Sequence, residues 1–171
     1  MNLQEAIAVA IDFEVKVRDH YLKGTREVKD ESGKKFFETL AKEEQGHVSY
    51  LAHALSEWKS TGRVPNAPIP SVVPQGVDWV ESAKKRLAAM PFVRQASERE
   101  LENIKAALAL EQEATRFYRS LVAQMPEQDR PLFEGFLSGE DGHLALVQAQ
   151  LNSVQGLGVY FDMMEFSLEA G

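Results

Sequence analysis

Four glutamates and two histidines carry the chemistry open to this chain. Glu44 precedes His47 by three residues and Glu140 precedes His143 by the same interval, so on a helix each pair projects from one face toward one point. Glu14 and Glu111 have no such companion, but like Glu44 and Glu140 each interrupts an apolar stripe where a core residue would sit. A carboxylate buried without a partner is costly, and four of them converging with two imidazoles are relieved if they share cations. Two divalent ions would nearly neutralise the set. Oxygen and imidazole ligands suit iron or manganese by hardness, whereas zinc more often takes fewer ligands. One Glu-x-x-His pair alone is a weak signal, since both residue types are common on solvated helix faces; two pairs in register with two further stripe glutamates form a specific one.

The elements that must position these residues are helices, and the spacing predicts four long ones in an all-α fold. In the first, Leu3, Ile7, Ala10, Glu14, Val17 and Tyr21 share a stripe, with Gly24 as the expected stop. In the second the stripe is Phe37, Leu40, Glu44, His47, Leu51, Ala54 and Trp58, ending before Gly62. The third opens on Ser97 and Glu100, a capping-box pattern, and runs through Leu101, Ile104, Leu108, Glu111 and Tyr118. The fourth begins near Pro131 and places Phe133, Phe136, Glu140, His143, Val147 and Leu151 on one face. Residues 61–96, with Pro65, Pro68, Pro70 and Pro74 and then an amphipathic stretch from Asp78 to Met90, form a crossover with room for a short helix. A crossover of that length lets the second and third helices run parallel, while short links make the other sequential pairs antiparallel.

The chain repeats itself. A shift of 97 residues aligns Glu5 with Glu102, Ile7 with Ile104, Glu14 with Glu111 and Tyr21 with Tyr118. A shift of 96 aligns Phe37 with Phe133, Glu44 with Glu140, Gly46 with Gly142 and His47 with His143. Two helical hairpins of common pattern therefore make one domain, residues 1–154. Tyr21 and Tyr118 lie two helical turns beyond Glu14 and Glu111, where a hydroxyl could either bond a metal-ligating carboxylate or sit in plain core packing. His20 and His53 fall off the Glu/His stripes and are expected on the surface. Trp58 and Trp79 read as packing residues. The tail, 155–171, carries Tyr160, Phe161, Met163, Met164 and Phe166 and is expected to fold onto the bundle or a partner subunit.

Composition narrows the classes further. The 171 residues are 44% hydrophobic, with net charge -7, so one sizeable core is expected and no basic footprint for nucleic acid. Without cysteine there are no disulfides, thiolate zinc sites or cysteine-held iron–sulfur clusters. The N-terminus lacks a basic stretch followed by an apolar run, and no eighteen apolar residues are uninterrupted, which predicts a soluble cytoplasmic protein without membrane partners.

At Phe13-Glu14 with Tyr21, Glu44-Gln45-Gly46-His47, Leu110-Glu111 with Phe117-Tyr118, and Glu140-Asp141-Gly142-His143, the sequence resembles the rubrerythrin-like branch of the ferritin-like superfamily. The resemblance covers the four helices, about 1–60 and 97–154, and implies a ferritin-like four-helix bundle with a long crossover between helices 2 and 3. It implies two iron ions, with Glu44 and Glu140 bridging, Glu14 and His47 completing one coordination sphere and Glu111 and His143 the other. Peroxide or dioxygen would be reduced by ferrous iron; iron storage by ferroxidase action, and a manganese site with catalase activity, are the alternatives the same ligands permit. Rubrerythrins carry a rubredoxin-like centre held by four cysteines, absent here, so electrons would come from a separate protein such as a rubredoxin. They also have a glutamate where this chain has Ala114, which brings the ligand set nearer the symmetric ferroxidase site of bacterioferritin. Gln45 and Asp141 stand where bacterioferritin's haem-ligating methionine would, so haem is not expected. The family implies a homodimer.

Overall fold

The computed structural model describes residues 1–65, 67–71, 73 and 78–162. The described residues form five α-helices and no strand: α1 (Leu3–Glu27), α2 (Glu31–Thr61), α3 (Asp78–Ala88), α4 (Glu98–Gln124) and α5 (Arg130–Leu157), with a 3-10 turn at Glu127–Asp129 leading into α5. None of these helices is long and apolar enough to cross a membrane. Pro74 of the crossover and Met163, Met164 and Phe166 of the tail lie outside the described residues.

Local chemistry sets the helix boundaries. Asn2 caps α1 through its Oδ1, which accepts from the Glu5 amide at 2.9 Å, while Glu5 reaches back to the Asn2 amide at 3.0 Å. Ser97 and Glu100 make the same reciprocal box at the start of α4. Asp30 caps α2 by accepting from the Gly33 amide at 2.8 Å. Gly62 and Gly158 end α2 and α5 in the left-handed region, with φ of 72° and 79°. Gly24 is not the stop expected of it. The helix runs on to Glu27, and Gly24 is buried inside it where a Cβ would run into the Phe37 ring. Glycine there sets how closely α1 and α2 approach; its absent side chain, not its backbone freedom, is what the position uses.

Two apolar clusters show how the helices are arranged. One gathers Val17 and Tyr21 from late α1, Phe36 and Phe37 from early α2, Ile104 and Ala107 from early α4, and Val147 to Leu157 from late α5. The other gathers Leu3, Ile7 and Ala10 from early α1, Leu51 from late α2, Tyr118 and Leu121 from late α4, and Phe133 and Phe136 from early α5. Hence α1 runs antiparallel to α2, and α4 to α5, while α2 and α4 start at the same end. The short helix α3 lies against α5, with Trp79, Val80, Ala83 and Leu87 buried in the first cluster. Beyond α5 the chain folds back as expected as far as it is described: Tyr160 and Phe161 are buried, and the Gln150 side chain bonds both backbone groups of Phe161.

One polar clamp ties three helix ends together. Arg94 grips Glu100 with a forked pair of bonds, Nη1 to Oε2 at 3.0 Å and Nη2 to Oε1 at 2.6 Å, and reaches Asp30, the α2 cap, at 3.8 Å. Its own amide, with that of Val93, donates to the Leu157 carbonyl at the end of α5. The hydrogen bonds from Arg94 hold the Glu100 carboxyl down at about 2. Since an unfolded glutamate titrates near about 4.3, this interaction stabilises the fold fully at neutral pH and loses its effect as pH falls from about 4.3 toward 2. Glu100→Gln, which keeps a capping-box residue, should therefore melt below the parent at pH 7, with the gap closing under acid. A gap independent of pH would contradict the assignment.

Candidate metal centre

Between the two apolar clusters lies a polar layer. Glu14, Glu44, Glu111 and Glu140 are at most 1% exposed, and His47 and His143 are 2% exposed. Each long helix supplies what its stripe requires: Glu14 from α1, Glu44 and His47 from α2, Glu111 from α4, Glu140 and His143 from α5. All six residues singled out by spacing are thus brought to one place.

Their donor atoms converge. Nδ1 of His47 lies 3.1 Å from Glu44, 3.4 Å from Glu14 and 3.4 Å from Glu140. Nδ1 of His143 lies 3.1 Å from Glu44, 3.7 Å from Glu140 and 3.9 Å from Glu111. The two rings stack with centroids 5.4 Å apart. Donor atoms fall into sets within 4.8 Å of one another that could hold a metal ion: Glu14, Glu44, His47 and Glu140 in one, Glu44, Glu111, Glu140 and His143 in another. Glu44 and Glu140 belong to both.

These side chains fit a cation better than they fit each other. Both oxygens of Glu44 and of Glu140, Oε2 of Glu111 and Nδ1 of His143 are buried without a well-directed hydrogen bond, although several lie close together. Lone pairs that share a space without pointing at a donor leave the desolvation cost uncompensated. A hard or borderline cation supplies what they lack, and the carboxylate and imidazole donor set suits iron or manganese; it does not distinguish between them.

Around this layer the repeat is crossed. The Tyr21 hydroxyl, from α1, donates to Oε1 of Glu111 on α4, and the Tyr118 hydroxyl, from α4, donates to Oε1 of Glu14 on α1. Of the two roles open to these tyrosines, they take the hydrogen-bonding one while remaining fully buried. Phe136 covers both partners of this network, stacked on Tyr118 at 5.2 Å and edge-on to His47 at 5.1 Å. Ala114 is buried and offers no ligand.

Two features escaped the sequence reading. Glu43 is 3% exposed and forms a third possible metal-holding group with His47 and His143. It sits off the apolar stripe in the run Lys42-Glu43-Glu44, which reads as a solvated face, yet it is buried beside His143 of α5. His20, expected on the surface, is half-buried edge-on to Tyr21, and its Nε2 has no solvent contact. Burial lowers its pKa, against a hydrogen bond donated to the Asn103 backbone that raises it. His53 is exposed as expected.

Comparison with known proteins finds no matching family model, no similar curated protein and no similar solved structure. The site's own chemistry therefore carries the functional argument.

Electrostatics divide the six ligating candidates in two. Burial, reinforced by the charges of Glu140 and Glu44, pushes Glu14 well above the usual carboxylate range, and burial does the same to Glu111. Burial would raise Glu44 too, but His47 and His143 outweigh it and hold Glu44 well below that range; Glu140 is lowered by the same two partners. Burial would depress both histidines, but Glu44 and its neighbours raise them instead. In the metal-free layer the carboxylates therefore draw the two histidines toward the imidazolium form, while burial draws Glu14 and Glu111 toward the protonated acid. Cation binding works against these shifts, because it needs ionised carboxylates and neutral imidazoles. Adding manganous ion to the metal-free protein at pH 7 in weak buffer should release protons in proportion to the metal bound, read by an indicator dye. Binding without proton release would contradict this distribution of charge.

Proposed function

We propose that this chain is a ferritin-like four-helix bundle that holds two metal ions, iron in its working form, and reduces hydrogen peroxide or dioxygen. The observation that carries the reading is the pair of four-residue groups sharing Glu44 and Glu140. Two shared carboxylates suit bridging ligands, leaving Glu14 with His47 on one side and Glu111 with His143 on the other. This is the division that the rubrerythrin-like resemblance implies.

The residues divide the work. Glu44 and Glu140, shared by both groups, would hold two cations close enough for one small substrate to reach both. Ferrous iron held by these residues would supply one electron from each ion, the two electrons that reduction of one O–O bond needs. Tyr21 and Tyr118 hold Glu111 and Glu14 in place through their hydroxyl bonds, as outer partners of metal ligands do. Phe136, packed against His47 and Tyr118, shields that side of the layer from bulk water. A separate electron-donor protein, such as the rubredoxin that the resemblance implies, would return the site to its ferrous form.

The test is anaerobic loading with ferrous ion followed by mixing with peroxide in a stopped-flow spectrometer. The parent should take up two iron ions per chain and oxidise them faster than free ferrous ion is oxidised. Glu140→Ala should slow this oxidation by at least about tenfold, since loss of even an outer partner of a ligand costs that much. Less than one ion per chain, or an unchanged rate in the variant, would overturn the reading.

A further inference from the structure

Among the buried acidic residues of the centre, Glu43 has no acidic counterpart in the repeat. Its counterpart under the 96-residue shift that pairs Glu44 with Glu140 is Gly139. Gly139 has no side chain, and a Cβ built on it meets nothing within 4 Å, so α5 supplies no carboxylate at the equivalent position. The tyrosines, by contrast, serve both halves alike, each bonding the glutamate of the other hairpin. Whatever makes the two halves of the centre unequal therefore includes Glu43.

Its position relative to His143 is specific. Nδ1 of His143 faces Glu44, Glu111 and Glu140, which leaves Nε2 as the outer nitrogen. Oε1 of Glu43 lies 3.7 Å from that Nε2, with both side chains 2% exposed. The trio Glu43, His47 and His143 places one donor atom from each within 4.8 Å of the others. Glu43 therefore approaches the nitrogen of His143 that points away from the carboxylates. A carboxylate on the outer nitrogen of a ligating histidine fixes its tautomer, orients the ring and raises its basicity. Here it would keep the proton on Nε2 and the Nδ1 lone pair turned into the cluster.

We propose that Glu43 is a positioning residue for His143 and makes the metal position of Glu111 and His143 the tighter of the two. This rests on the two-metal reading above. It gives the centre an order of filling that the sequence symmetry of its six ligands does not contain.

Cobaltous ion is a suitable probe, because its visible absorption reports ligand geometry and its binding can be followed by calorimetry without any turnover. The parent should bind two ions with unequal affinity. Glu43→Leu should weaken the tighter ion ten- to a hundredfold, leave the other unchanged and alter only the first-filling absorption spectrum. Glu43→Gln, which retains an oxygen that can accept from Nε2–H, should recover most of the lost affinity. Unchanged isotherms in the leucine variant would overturn the proposal. So would equal weakening of both ions, or a loss that glutamine does not repair and that follows a lower melting temperature of the metal-free protein. A parent that binds fewer than two cobalt ions would instead overturn the two-metal reading beneath it.

Discussion

Everything in this fold is arranged around the cost of keeping carboxylates out of water. Glu14, Glu44, Glu111 and Glu140, with Glu43 beside them, lie in a dry layer between two apolar clusters, where an unpaired charge is unfavourable by several kcal/mol. Without metal, the chain answers with what it has. Two histidines are drawn into the charged form, Glu14 and Glu111 are pushed toward the protonated form, and two tyrosine hydroxyls donate inward. That answer is incomplete, since five carboxylate oxygens keep no directed hydrogen bond. The incompleteness is itself informative: a layer built only for stability would have been apolar, and replacing buried charges by well-packed hydrophobic residues is often neutral or stabilising.

The surrounding architecture follows from holding that layer open at the right width. The two clusters act as plugs above and below it, and residues at their inner edges, Tyr21, Tyr118 and Phe136, touch the polar groups directly. The close approach of α1 and α2 at Gly24 and Phe37 belongs to the same requirement, because α1 carries Glu14 and α2 carries the carboxylate and imidazole that face it. At the far end, Arg94 joins the starts of α2 and α4 to the end of α5 and so fixes the two hairpins relative to each other. Gly158 must be glycine at that junction, both for its positive φ and because a Cβ would strike the Arg94 carbonyl.

Much of this was legible in the residues. The helical stripes located all four long helices, and every stripe position assigned to the core of α1 and α5 is buried. The six candidate ligands were legible for the reason that makes them costly: each breaks an apolar pattern, which a one-dimensional period can reveal. Glu43 and His20 were not legible, because their burial depends on a neighbouring helix rather than on their own. Gly24 misled because a glycine late in a helix usually marks its end, and only the Phe37 ring across the interface shows the other use. The cross-pairing of Tyr21 with Glu111 and Tyr118 with Glu14 likewise belongs to tertiary structure. Sequence placed each tyrosine beside the glutamate of its own helix, and packing gave it to the other.

The central claim is that metal resolves an electrostatic conflict the bare fold tolerates, and a double substitution tests it most directly. With Glu14 and Glu111 both replaced by leucine, the layer loses the two carboxyls whose pKa burial raises and gains apolar surface. Melting temperature should be followed with and without manganous ion near neutral pH. The parent should be stabilised by on the order of 3 kcal/mol at a hundredfold excess of metal over its dissociation constant. The double variant should remain helical, melt no lower than the metal-free parent and show no metal response. A metal-dependent shift as large as the parent's would mean that the ions bind elsewhere, and would contradict the assignment of this layer as the metal centre.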